Sequence, residues 1–119
     1  MKSDPIQSIT YTGGSMKPIL RDGDGLAVEP YGSRERRGGD IVVFKDPEDN
    51  QKVIHRIVSV RKDAIRTRGD HNTGVDPWIL EPGEIIGKVV FAWRRNKIKK
   101  KNKKTREWGA ISNLAHGGQ

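Results

Sequence analysis

The fold class this chain predicts is all-β, on three observations. Apolar side chains gather in short runs rich in Val, Ile, Thr and aromatic residues. Glycine, proline and aspartate clusters punctuate those runs. No amphipathic helical period runs through the body of the chain. A length of 119 residues suits one domain with a modest core. Hydrophobic residues make up 33% and the mean hydropathy is −0.75, so the buried set must be concentrated in a few strands. The expected architecture is a small sandwich, a coiled sheet or a small barrel of short antiparallel strands over residues 1–93. A basic segment, 94–119, follows it as a flexible tail or solvated helix.

Each element has its own signal. Residues 6–12 alternate in part (Ile6, Ile9, Tyr11) and are rich in Thr and Ile, which suits a first strand. Arg21-Asp22-Gly23-Asp24-Gly25 is a turn, and 26–29 the next strand. Residues 30–39 are polar and glycine-rich and form an exposed loop. Asp40 to Lys45 encloses Ile-Val-Val-Phe, a continuous apolar run that predicts a strand buried on both sides. Asp46 to Asn50 supplies a turn, so 52–61 should return as the partner of a hairpin. Residues 64–68 give a further short strand, 69–77 a loop, and 85–93, interrupted by Gly87, the strand that closes the sheet.

Within this frame, Gly13-Gly14-Ser15-Met16-Lys17-Pro18 puts a small hydroxyl on a bend. Two glycines admit unusual backbone angles or a close approach, and Pro18 stops a strand from running on. A serine hydroxyl is a weak nucleophile until a base takes its proton. The chain offers that base at His55, inside Val53-Ile54-His55-Arg56-Ile57-Val58. It offers carboxylates in Arg68-Gly69-Asp70-His71-Asn72 and at Asp76. Strand alternation puts His55 on one face with Val53 and Ile57, and Arg56 on the other with Ile54 and Val58.

Taken together, these blocks resemble the signal peptidase family of serine proteases, in its endoplasmic-reticulum and archaeal branch. The likeness runs in order through Gly14-Ser15-Met16-Lys17-Pro18, Asp22-Gly23-Asp24, Gly39-Asp40-Ile41-Val42-Val43-Phe44, His55-Arg56-Ile57-Val58, Gly69-Asp70-His71-Asn72 with Asp76, and Ile86-Gly87-Lys88. It covers roughly residues 8–92, and so many blocks in the right order carry weight that one would not. The resemblance implies Ser15 as nucleophile, His55 as general base and Asp76 as the carboxylate holding the imidazole, with Asp70 the alternative third member. It implies an extended peptide or preprotein as substrate, bound along a strand edge, and no cofactor. In the bacterial branch a lysine stands where this chain has His55. An imidazole, with an ordinary pKa of about 6.5, accepts a proton at neutral pH without needing burial to lower it.

The oxyanion donor departs from the pattern. Gly13 stands two residues before the serine, where many members of that family carry a Ser or Thr hydroxyl; that donor is missing here, and a backbone N–H of Ser15 or of the Gly13-Gly14 turn can still serve. His71 lies near Asp70 and Asp76, but that spacing is unspecific for a metal, and no metal site is expected. The alternative class is a noncatalytic module that keeps the fold and captures a peptide or acidic partner. A self-cleaving regulator of the phage-repressor type is disfavoured, since those use lysine and carry a DNA-binding domain.

Composition bounds the rest. With no cysteine, disulfides and thiolate metal sites are excluded. No apolar run approaches the roughly 20 residues that cross a bilayer, and the first 14 residues include Lys2 and Asp4 rather than an apolar leader. Family members usually carry a membrane anchor before the serine, so a cytoplasmic protein is the expectation here. The net charge of +8 is uneven: residues 1–93 hold 14 Lys and Arg against 14 Asp and Glu, whereas 94–119 hold nine against one. The 94–106 stretch is read first as a solvated end, second as a peripheral contact with anionic membrane, and last as a nucleic-acid contact. Trp93 and Trp108 flank it, which favours lipid slightly. Gly117-Gly118-Gln119 should fray.

Overall fold

A computed structural model describes residues 6–100, 103–111 and 114. The strands are β1 (Gln7–Thr10), β2 (Gly25–Glu29), β3 (Ile41–Lys45), β4 (Lys52–Arg61), β5 (Ala64–Arg68), β6 (Ile85–Lys100) and β7 (Lys103–Ala110); one short 3-10 turn, Pro82–Glu84, precedes β6. All seven join one antiparallel sheet ordered β1-β2-β6-β3-β4-β5, with β7 also pairing β6. The domain is all-β, as expected, and the sheet is open: β1 and β5 end the order and do not pair with each other, so the barrel alternative is corrected to a coiled open sheet. Register shifts at Ala27/Val28, Val43/Phe44 and Ile57/Ser59 mark bulges that bend strands and sharpen twist, and so coil the sheet without closing it.

The strand expected to close the sheet instead lies in its middle. Lys88 of β6 pairs Glu29 of β2 along one edge and Val42 of β3 along the other. This depends on Gly87, where a Cβ would meet Val28 Cγ1 at 2.7 Å and the Glu29 carbonyl oxygen at 2.8 Å.

β3 explains why both faces are covered. Ile41 and Val43 enter one core with Met16, Leu20 and Leu26, while Val42 and Phe44 enter the other with Ile57, Ile65 and Leu80. Period-two alternation with every position apolar leaves no polar face, so each side needs its own packing layer. The β3–β4 hairpin pairs Ile41 with Arg56 and Lys45 with Lys52, as the turn at 46–50 predicts.

The segment from residue 94, read from sequence as a tail or solvated helix, is instead a β-hairpin through residue 110. Its charge forbids burial but not backbone pairing, which needs only an available strand edge. Arg94 also ties the hairpin base to the body. Its guanidinium donates to both Asp24 carboxylate oxygens at 2.9 and 2.8 Å, and to the Ile19 carbonyl at 3.1 Å. Asp24 is buried, and its hydrogen bonds hold the Arg94 guanidinium above its ordinary pKa. The expected fraying at 117–119 lies outside the described residues.

Candidate active site

Ser15 sits between β1 and β2, on a bend that begins at Gly13. Gly13 has φ of +108°, a conformation open to glycine and strained for other residues, and its N–H donates to Asp22 Oδ1 at 2.9 Å. The glycine amide is therefore engaged by the Asp22-Gly23-Asp24 turn. Met16 and Leu20 then anchor the bend by full burial in the core.

His55 lies in the middle of β4, nearly buried, with its ring edge-on to Phe44 at 6.3 Å between centroids. Its Nε2 is 3.1 Å from Ser15 Oγ and its Nδ1 is 2.6 Å from Asp76 Oδ2. Asp76 arrives from the loop after β5. Its amide donates to the Thr67 carbonyl at 2.8 Å, the Thr67 hydroxyl donates to Asp76 Oδ2 at 2.7 Å, and Arg66 Nη2 donates to the Asp76 carbonyl at 3.2 Å. An anionic carboxylate accepting at Nδ1 fixes the ring tautomer: Nδ1 carries the proton, leaving the Nε2 lone pair facing the serine hydroxyl.

Asp70 goes elsewhere. Arg56, next to His55 on β4, points to the other face and meets Asp70 in a two-pronged pair, Nε to Oδ1 and Nη2 to Oδ2, both 2.8 Å. Arg56 Nη1 adds a bond to the Gly39 carbonyl at 2.6 Å. Both side chains are buried, and neither reaches the imidazole. Of the two candidate carboxylates the fold brings Asp76 to His55, and it commits Asp70 to holding the 69–72 loop.

That loop touches the serine directly. The His71 amide donates to the Ser15 carbonyl at 2.7 Å and the Asp70 amide to Met16 Sδ at 3.4 Å. Gly69 makes this approach possible. A Cβ there would stand 2.7 Å from the Ser15 carbonyl oxygen and 2.9 Å from Ser15 Cβ. The His71 side chain is exposed, and no group of three or more metal-ligating residues occurs among the described residues.

Two neighbours of the site carry no sequence signal of their own. Thr67 reads as an ordinary strand residue and is fully buried behind Asp76. Tyr11, four residues before the serine, reads as part of the first strand, yet its Oη lies 3.3 Å from Ser15 Oγ and accepts from the Met16 amide at 3.0 Å.

Ser15 and His55 open onto a cleft of about 250 Å³, lined also by Thr10, Tyr11, Thr12 and residues 52–54. A larger cavity of about 530 Å³ lies between the 30–39 loop and the β4–β5 turn, away from these groups. The first cleft is therefore where chemistry and access coincide. It borders the end of β1, an edge strand in the sheet order.

A hydroxyl, an imidazole and a carboxylate thus stand in one hydrogen-bonded line at the mouth of a cleft. The signal peptidase, peptidase S26, family model matches residues 3–108, and the chain belongs to that family. It is 31% identical over 81 residues to the signal peptidase complex catalytic subunit SEC11C of human, and equally to those of mouse and dog. Each match covers 64% of this chain and 42% of the relative, so the chain spans about two fifths of the length of the curated relatives it matches. No helix among the described residues is long and apolar enough to cross a membrane.

Proposed function

We propose that this protein is a serine endopeptidase of the signal-peptidase type, with Ser15 as nucleophile, His55 as general base and Asp76 as its orienting carboxylate. The continuous chain Ser15 Oγ, His55 Nε2, His55 Nδ1, Asp76 Oδ2, at 3.1 and 2.6 Å, carries this reading. His55 takes the hydroxyl proton as Ser15 Oγ attacks the scissile carbonyl. Asp76 stabilises the resulting imidazolium, which passes the proton to the leaving amine. Water then repeats the sequence on the acyl-enzyme. The Ser15 backbone N–H supplies a main-chain donor to the oxyanion.

The substrate is an extended peptide or preprotein segment laid against the free edge of β1, with small side chains entering the cleft before the cut. The membrane is part of the same reading. The surplus charge of 94–106 draws the protein to the anionic cytoplasmic face, and exposed Phe91 and Trp108 lie on the strands that carry that segment.

The test is cleavage of a peptide with small residues before the scissile bond. Ser15→Ala is expected to lower turnover by at least about 10³-fold. Equal cleavage by that variant would remove the assignment, and peptide binding without wild-type turnover would favour a noncatalytic module.

A further inference from the structure

We propose that the Tyr11 phenol is the side-chain donor to the oxyanion, resting on the protease reading above. Proton accounting fixes its direction. Asp76 holds the His55 proton on Nδ1, so Nε2 accepts from Ser15 and the serine's single proton is committed. Tyr11 Oη accepts from the Met16 amide at 3.0 Å, so its own proton is directed at Ser15 Oγ, 3.3 Å away.

The phenol is also held in place. Tyr11 is 2% exposed, its amide donates to the Asp24 carbonyl at 2.8 Å, and its carbonyl accepts from the Gly23 amide at 2.8 Å. A donor fixed before the reaction loses little in reorganisation when charge develops, which is where such groups gain their effect. The preceding bend cannot supply a side-chain donor. Gly13 has none, its amide is engaged by Asp22, and its φ of +108° disfavours any other residue. A Cβ at Gly13 would lie 3.9 Å from Tyr11 Oη, in ordinary contact, so the phenol borders the position from which a side chain at 13 would start.

The step balances without any proton leaving Tyr11. Ser15 Oγ bonds to the carbonyl carbon, its proton moves to His55 Nε2, and the carbonyl π pair becomes a lone pair on the oxygen. That oxygen shares a carbon with Oγ. The phenolic O–H, turning about its C–O bond, passes from the serine oxygen to the new anion and returns when the carbonyl re-forms.

Tyr11→Phe removes only the hydroxyl. We expect kcat to fall roughly 10²-fold with KM changed by less than about threefold. The affinity of a peptide boronic acid, which forms a tetrahedral adduct on Ser15, should fall by a similar factor. Affinity for the product peptide should stay within about twofold, which a general loosening of the cleft would not allow. Wild-type kcat and boronate affinity in this variant would overturn the proposal.

Because the variant also leaves the Met16 amide without its acceptor, a second version substitutes trifluorotyrosine at position 11. Its phenol ionises nearer neutrality, and a phenolate cannot donate. Activity should gain an alkaline limb at that phenol's own pKa, and an unchanged pH profile would refute the role. A wild-type protein inert to peptide and boronate alike overturns the protease reading and this proposal together. Active wild type with an indifferent Tyr11→Phe overturns this one alone.

Discussion

The two faces of β4 make the most instructive comparison in the molecule. His55 and Arg56 are consecutive, and each pairs with an aspartate from the loop that follows β5, yet the two pairs do different work. His55–Asp76 borders a cleft and has a hydroxyl at the far side of the ring. Arg56–Asp70 is sealed, uses both prongs of the guanidinium, and ends on a backbone carbonyl. Nothing in the residue types assigns the roles. Strand alternation sends neighbouring side chains to opposite faces, and the loop delivers one carboxylate to each.

The largest effect that would sharpen this contrast is Asp76→Asn. It keeps the shape and removes the charge that fixes the imidazole tautomer, so kcat should fall by roughly 10³ to 10⁴-fold while the unfolding midpoint moves little. Asp70→Asn should do the converse. It leaves the buried Arg56 undercompensated, at a cost of about 3 kcal/mol in denaturant unfolding, and residual turnover should track the folded fraction. Reversal of these outcomes would exchange the two roles.

The same logic extends to the third buried aspartate. Arg94→Ala strips the guanidinium from Asp24, which among the described residues then keeps the Arg21 amide at 2.7 Å, and should cost about 2 kcal/mol of stability in thermal melts. An unchanged melting temperature would show that the hairpin base is held by strand pairing alone.

The smallest effect is alkaline. Burial, then its 2.6 Å hydrogen bond to Asp40, raises the Tyr31 phenol well above its ordinary value of 10.0. A folded-state pKa above the unfolded one gives a contribution that is whole below about pH 10 and lost as pH rises, because the unfolded phenol ionises first. Tyr31→Phe should flatten that alkaline decline, visible as a smaller difference in denaturant midpoint between pH 9 and pH 11, at a neutral-pH cost of about 1 kcal/mol.

Much of this was legible in the chain. The bounds of β4 and β5 coincide with the stretches 52–61 and 64–68, because β-branched runs ending at turn residues leave the backbone few other options. The ordered motifs also pointed to Ser15, His55 and the pair of aspartates. The resemblance ranked Asp76 ahead of Asp70, but residue types and spacing alone did not separate them, since that depends on where a nine-residue loop turns back across the sheet. Nor was the strand continuation past Trp93 legible, where charge argues against burial while an open edge of β6 invites pairing. Tyr11 was hidden for a third reason: a phenol's reach from its own Cα bridges a gap that sequence spacing does not encode.

Gly69 has a consequence of its own. With the Ser15 carbonyl 2.7 Å from where its first carbon would be, a single methyl at position 69 would act as a wedge under Ser15. On the serine-protease proposal, Gly69→Ala should therefore give a silenced form in which Ser15, His55 and Asp76 are chemically intact. Such a form could hold an uncut peptide long enough for its natural cargo to be recovered and sequenced.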